Sequence, residues 1–270
     1  MSFPVDLALV RQLERAEGMA NAASVDARRE IDASVGARWI EVAGAYAMFD
    51  GPESPLTQTF GVGIFEPFRE REFESVEKFF TERGAPTSHE VSSFAAPETI
   101  ALLSARGYSP IEASVVQVRS TQVESAQPHA SITVRPIDAS ETGTWSRIAA
   151  DGWAVEMPEA QAFLESIGAV LAHARGVTCF IAEQGGKAIA TAALNVQNGV
   201  ALLAGASTIP EGRRQGAQNA LFHTRLAFAR ERGIELAMVV TQPGSASQRN
   251  AERQGFRPVY TRAKWMRVPK

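Results

Sequence analysis

The chain has 270 residues, 45% hydrophobic and 21% charged, enough for one large core or two ordinary ones, and two domains are expected. A net charge of −3 and a pI near 5.9 exclude a general nucleic-acid binder, which would carry a basic excess or stripe. No apolar run reaches the length of a membrane span and the N-terminus lacks the layout of a signal peptide; with the single Cys179 unable to form an intramolecular disulfide, a reducing, cytoplasmic location is expected.

In chain order, residues 6–33 carry helical spacing, with Leu7, Val10, Leu13 and Met19 on related faces, and predict opening helices. A strand-like run follows at Arg38–Ala43, and Trp39, Phe49 and Phe60 read as core aromatics. A helix covers Phe73 to the Glu-Arg-Gly ending at Gly84. Residues 121–130 are polar, contain Pro128 and lack periodicity, the pattern of a linker. Beyond it come a strand at Ser131–Pro136, a helix around Thr142–Trp153, and strands at Cys179–Gln184 and Lys187–Leu194 joined through Gly185-Gly186, a hairpin signal. The apolar run Val200–Ala206 reads as a buried strand, where Cys179, in a strand of its own, reads as inert packing. A turn at Pro210–Gly216 leads into a helix with Ala217, Ala220, Leu221, Thr224, Ala227 and Phe228 at helical spacing. A strand at Glu235–Thr241, a turn at Pro243-Gly244, a short helix over Ser245–Gln254 and the segment Gly255-Phe256-Arg257-Pro258 close the pattern.

The turn before residue 217 is the most informative stretch. It places Arg213, Arg214 and Gly216 at the start of a helix, where unpaired backbone N–H groups, the positive end of the helix dipole and two guanidinium groups favour an anion, and where glycine lets a phosphate approach the backbone. The alternative is a solvated basic turn capping an ordinary helix.

The two halves of the chain repeat each other. Phe73-Glu-Ser-Val-Glu-Lys-Phe79 through Glu82-Arg83-Gly84 matches Phe222-His-Thr-Arg-Leu-Ala-Phe228 through Glu231-Arg232-Gly233 at a constant offset of 149 (222 − 73). Gly107-Tyr-Ser-Pro-Ile-Glu112 matches Gly255-Phe-Arg-Pro-Val-Tyr260 at 148 (255 − 107), which points to a duplicated fold. The offset of 149 sets Pro67 opposite Gly216, Ile64 and Phe65 opposite Arg213 and Arg214, and Glu66 opposite Gln215. Proline has no N–H to donate and glutamate repels phosphate, so the first copy is expected to have lost the anion site.

The segment Arg213-Arg214-Gln215-Gly216-Ala217-Gln218 resembles the acyl-CoA pyrophosphate loop of the GCN5-related N-acetyltransferase (GNAT) family, Arg/Gln-x-x-Gly-x-Gly/Ala, with Gln218 standing where the family prefers a small residue. The order of elements over 131–270 is similar to that family as well. The resemblance implies an α/β (α+β) fold of two GNAT-like domains, each a mixed, mostly antiparallel sheet flanked by helices: a degenerate copy over 1–120, the linker 121–130 and an acyl-CoA-binding domain over 131–270. It further implies direct transfer of an acetyl or other acyl group (not aminoacyl) from acetyl-CoA to a primary amine of a small-molecule or amino-acid-like acceptor.

Within that implied chemistry the thioester carbonyl must be polarised, the amine must lose a proton and the thiolate must gain one. The resemblance places Ala206, Ser207 and Thr208 where main-chain groups hold the pantetheine arm and the carbonyl, and Arg213 through Gln218 around the pyrophosphate. The family's tyrosine, four residues before the Gly-Phe pair, is Ala251 here. Ser247 and Asn250 are substitutes or else helix-capping and cofactor-contacting residues, and Tyr260 is an acid or a packing residue. Asp151 and Glu156 form either an amine-binding mouth or a solvated loop, so the catalytic residues stay unassigned. The histidines, His89, His129, His173 and His223, are scattered and no metal is expected. Partners are expected to be a small amine, with no nucleic acid or membrane, and homodimer formation stays open. The competing reading is a non-catalytic module that senses acyl-CoA or serves for interaction.

Overall fold

A computed structural model describes residues 4–123, 131–155 and 158–267. The elements run α1 (Leu7–Ile31), β1 (Arg38–Val42), β2 (Ala45–Phe49), β3 (Gln58–Phe60), α2 (Glu70–Thr81), β4 (Ser88–Ser92), α3 (Pro97–Ala105), β5 (Tyr108–Ser120), β6 (Ile132–Pro136), α4 (Thr142–Trp153), α5 (Gln161–His173), β7 (Val177–Gln184), β8 (Lys187–Gln197), β9 (Val200–Thr208), α6 (Ala217–Glu231), β10 (Leu236–Thr241), α7 (Ala246–Arg253) and β11 (Arg257–Arg267). Backbone contacts divide the described residues into two compact units. One holds Val118–Val239 and Arg249–Arg257; the other holds 4–117, 240–248 and 258–267.

The division differs from a cut in the 121–130 linker because the last strand pairs antiparallel with β4, with Arg262 opposite Ser92 and Trp265 opposite His89. Most of the expected linker, 124–130, lies outside the described residues.

In the C-terminal unit the strand order is β10-β9-β8-β7-β6, antiparallel except for the parallel β9–β10 pair. The β7–β8 hairpin turns at Gly185 and Gly186, both at positive φ, with Gln184 opposite Lys187. Its main core packs Phe180, Leu194, Leu203, Leu221, Leu226 and Phe256 together, and a second cluster joins Trp145 to Ile181 and Cys179. The Trp145 indole donates to the Phe180 carbonyl at 3.0 Å, which satisfies its one polar atom inside the core.

In the N-terminal unit the order is β1-β2-β3-β4-β11-β5, with β3–β4 parallel. The opening segment is one helix, not several, started by Asp6, whose side chain accepts from the Leu9 amide at 2.9 Å. Val10 and Leu13 are fully buried, whereas Leu7 and Met19 face solvent, because the buried stripe shifts to Ala16, Ala20 and Ala22, smaller residues that hydropathy spacing weights less. Phe49 and Phe60 are buried; Trp39 is half-buried and donates to Asp26 at 3.3 Å.

The repeat extends to the hydrogen bonds. Ala85 N donates to Phe80 O as Ile234 N does to Ala229 O, and Gly84 N to Thr81 O as Gly233 N does to Arg230 O, all at the same offset of 149 (234 − 85). At the second helix end, Arg106 N to Leu102 O and Gly107 N to Ser104 O match Gln254 N to Asn250 O and Gly255 N to Glu252 O, at 148 (254 − 106). The run β3-α2-β4-α3-β5 thus has the order of β9-α6-β10-α7-β11.

The half-buried Glu90 makes the N-terminal unit sensitive to pH. Burial pushes the Glu90 carboxyl from its ordinary 4.5 to about 7, against the opposing pull of Arg262 and Lys264. A folded-state value raised in this way contributes stability that is full below the unfolded value and lost as pH rises through 7. Glu90→Gln is therefore expected to raise unfolding free energy by about 3 kcal/mol near pH 8 and to change it little near pH 4.5, read from urea unfolding at both. An equal effect at both pH values would contradict this assignment.

Candidate functional site

The end of β9, the loop after it and the first turn of α6 enclose a cleft of about 480 Å³, in the range of small-ligand sites. Pro210–Gly212 make one turn of 3-10 helix, Arg214 takes a left-handed conformation (φ +62°), and Gly216 (φ +89°) caps α6. That φ is one side chains rarely adopt, which is why glycine stands there. The first intrahelical bond runs from Ala220 N to Gly216 O at 3.1 Å, so the amides of Ala217, Gln218 and Asn219 precede it, and the glycine cap has no side chain to accept from them. All three residues line the cleft.

Three arginines, Arg213, Arg214 and Arg253, line it as well. Arg213 is held by the Gly152 carbonyl at 3.2 Å, and Arg253 donates to Asn250 Oδ1 at 2.7 Å. Arg214 is exposed and has no protein hydrogen bond or ion pair among the described residues, leaving its guanidinium available to an anion. The Gln218 amide donates to Thr208 Oγ1 at 2.8 Å, and both residues line the cleft.

Of the residues expected from the sequence, the cleft gathers Thr208, Arg213, Arg214, Gly216, Ala217, Gln218 and Asn250. Ala206, Ser207, Gln215 and Ser247 do not line it. Ser207 is buried and its hydroxyl donates to Ala149 O at 2.8 Å, tying β9 to α4; the Ala206 carbonyl accepts from Trp153 Nε1 at 3.3 Å. The Gln215 amide donates to Glu211 O, and Ser247 is exposed on α7. Gly212, Asn219 and Arg253 join the lining without having been expected; Arg253, three residues after Asn250 on the same helix, was within reach of an i, i+3 reading.

The candidates for proton transfer have different surroundings. Ala251 is fully buried in the core. Tyr260 belongs to the N-terminal unit, where its hydroxyl donates to Glu14 Oε1 at 2.6 Å and burial drives its pKa well above the usual value. Asp151 is exposed and accepts from Gln161 at 2.6 Å, while Glu156 lies outside the described residues. Burial pushes the Cys179 thiol up to about 12, which makes it a packing group. Among the described residues no group of three or more His, Cys, Asp or Glu could hold a metal ion, and no helix is long and apolar enough to cross a membrane.

Beside the cleft, β9 carries a bulge: Thr191 faces Ser207 and Ala193 faces Ala204, so Gly205 and Ala206 oppose Ala192 alone. Gly205 has φ +59°, and a Cβ there would fall 2.8 Å from Leu171 Cδ2. Below the bulge, buried Arg225 of α6 donates to the carbonyls of Ala193 (3.0 Å) and Ala204 (3.4 Å), one on each strand, and burial lowers its pKa to about 9. Neither feature was readable in the sequence, where a helical arginine looks solvated.

The bulged strand, the glycine-capped start of α6 and the arginines that line the cleft all fall within residues 141–256, which match the family model described as Acetyltransferase (GNAT) family. Residues 141–256 form a GNAT domain. Most of the chain is similar in fold to solved structures of that description. A GCN5-related N-acetyltransferase from Kribbella flavida superimposes with TM-score 0.65 at 20% identity, covering 92% of this chain and 96% of that one. A tandem GNAT protein from the clavulanic acid biosynthesis pathway gives 0.59 at 14% identity, covering 84% and 79%. A GCN5-related N-acetyltransferase from Sphaerobacter thermophilus gives 0.55 at 13% identity, covering 78% and 72%. No curated protein matches the sequence. The GNAT domain thus holds the cleft, the bulge and α6.

Proposed function

We propose that the protein is an acyl-CoA-dependent N-acyltransferase that moves an acetyl or other acyl group directly from the CoA thioester to the primary amine of a small-molecule or amino-acid-like acceptor. The observation that carries this reading is the cleft at the start of α6, where successive helix amides, the Gly216 cap and the unpaired Arg214 converge. A pyrophosphate there would accept from the amides of 217–219 and from Arg214, with Arg213 and Arg253 adding charge. Main-chain groups of 206–208 would then lie along the pantetheine arm. In the transfer the amine nitrogen attacks the thioester carbonyl carbon, the C–S bond breaks, and the amine proton ends on the departing sulfur.

The N-terminal unit is proposed to be a degenerate second copy. At its α2 the Glu72 carboxylate accepts from the Arg69 amide at 3.0 Å, so the chain supplies its own anion where α6 leaves room for a ligand. The burial of Ala251 at the position of the family's tyrosine favours a second reading, a binding module without turnover. Incubation with acetyl-CoA and a panel of primary amines decides between them: release of free CoA thiol that depends on the amine is expected, and saturable binding without any thiol release would contradict catalysis.

A further inference from the structure

A second cavity, of about 120 Å³, opens between α4, α5 and the β9 bulge, and its walls are Trp145, Ala150, Trp153, Ile167, Leu171 and Gly205 together with further apolar residues. Of these, Trp153 is 51% exposed, so a large apolar side chain of the wall also faces solvent. The one polar side-chain atom available at Trp153 is engaged, its indole N–H bonding the Ala206 carbonyl. The glycine at 205 keeps the strand side of the cavity open, since any Cβ there would run into Leu171.

We propose that this cavity receives the hydrocarbon tail of the donor, so that the protein prefers acyl-CoA thioesters of about four carbons to acetyl-CoA. The inference rests on the acyl-CoA reading above, which sets the thioester carbonyl along 206–208, next to the bulged Gly205 in the cavity wall. An acceptor amine is the poorer occupant. The walls offer no carboxylate, hydroxyl or free carbonyl, and an ammonium or a neutral amine placed there would lose its hydration without a partner. A saturated chain loses nothing and gains from leaving water. The volume is somewhat below the roughly 150 Å³ that holds a benzene ring, which suits two or three added methylenes rather than a long fatty chain.

The test is calorimetric titration of the full chain with CoA, acetyl-CoA, butyryl-CoA and octanoyl-CoA. Affinity is expected to rise about fourfold per methylene between acetyl and butyryl and to fall again at octanoyl. Ile167→Trp, which fills the cavity from half-buried α5, should erase the butyryl advantage over acetyl, and Ile167→Ala should move the optimum to a longer chain. Equal or weaker binding of butyryl-CoA than of acetyl-CoA overturns the inference while leaving the acyl-CoA reading intact. Failure of every thioester and of CoA itself to bind overturns both. The comparison of ligands on the unaltered chain stands even if a variant does not fold.

Discussion

Glu14→Ala is expected to destabilise the N-terminal unit by about 3 kcal/mol, among the largest losses of any single truncation in the chain. Glu14 sits on α1 with its carboxylate fully buried, accepting at Oε1 from Arg262 Nε at 2.7 Å and from the Tyr260 hydroxyl at 2.6 Å, both on β11. Arg262 also reaches Glu17 at 2.6 Å, and its own side chain is 1% exposed. Removal of Glu14 leaves a buried guanidinium with one carboxylate instead of two and takes away the acceptor of the buried tyrosine hydroxyl. The remaining Glu17 keeps the expected loss at the low end of what breaking a buried pair costs. Urea unfolding followed by tryptophan fluorescence measures it, and an unchanged midpoint would mean that α1 and β11 are held by apolar packing alone.

The largest functional effect is expected from Gly216→Pro, which should abolish acyl-CoA binding. Proline fixes φ near −65°, while position 216 stands at +89°, so the N-cap of α6 cannot keep its conformation. The first-turn amides would swing away from the cleft, and the anion would lose several donors together rather than one. Far-ultraviolet circular dichroism separates loss of the site from loss of the fold, because α6 beyond its first turn is fixed by buried Ala220, Leu221 and Leu226.

Local chemistry made much of this architecture readable. Gly185-Gly186 marked a hairpin because both residues take positive φ, and Gly84 and Gly233 marked helix ends because the same backbone bonds close both. The glycine-capped start of α6 after the basic turn at 213–216 was visible because its arginines and its glycine are neighbours in sequence. Non-local relations were not visible. The pairing of β11 with β4 joins residues more than 160 positions apart, Trp265 with His89, and no periodicity reports that partner. The contacts that tie β9 to α4, from the Ser207 hydroxyl to Ala149 O and from Trp153 to the Ala206 carbonyl, are tertiary as well. The bulge at Gly205 and the burial of Arg225 beneath it depend on strand register and helix placement, so composition could not announce them. Arg253 entered the cleft from α7, an element whose approach to α6 is likewise a tertiary fact.

The most direct test of the central claim is calorimetric titration of the purified chain with acetyl-CoA beside its Gly216→Pro variant. Saturable binding at one site per chain, absent in the variant, is expected, because the start of α6 is basic and glycine-capped whereas at the start of α2 the Glu72 carboxylate accepts from the Arg69 amide. Binding that survives in the variant, or two equivalent sites per chain, would contradict it.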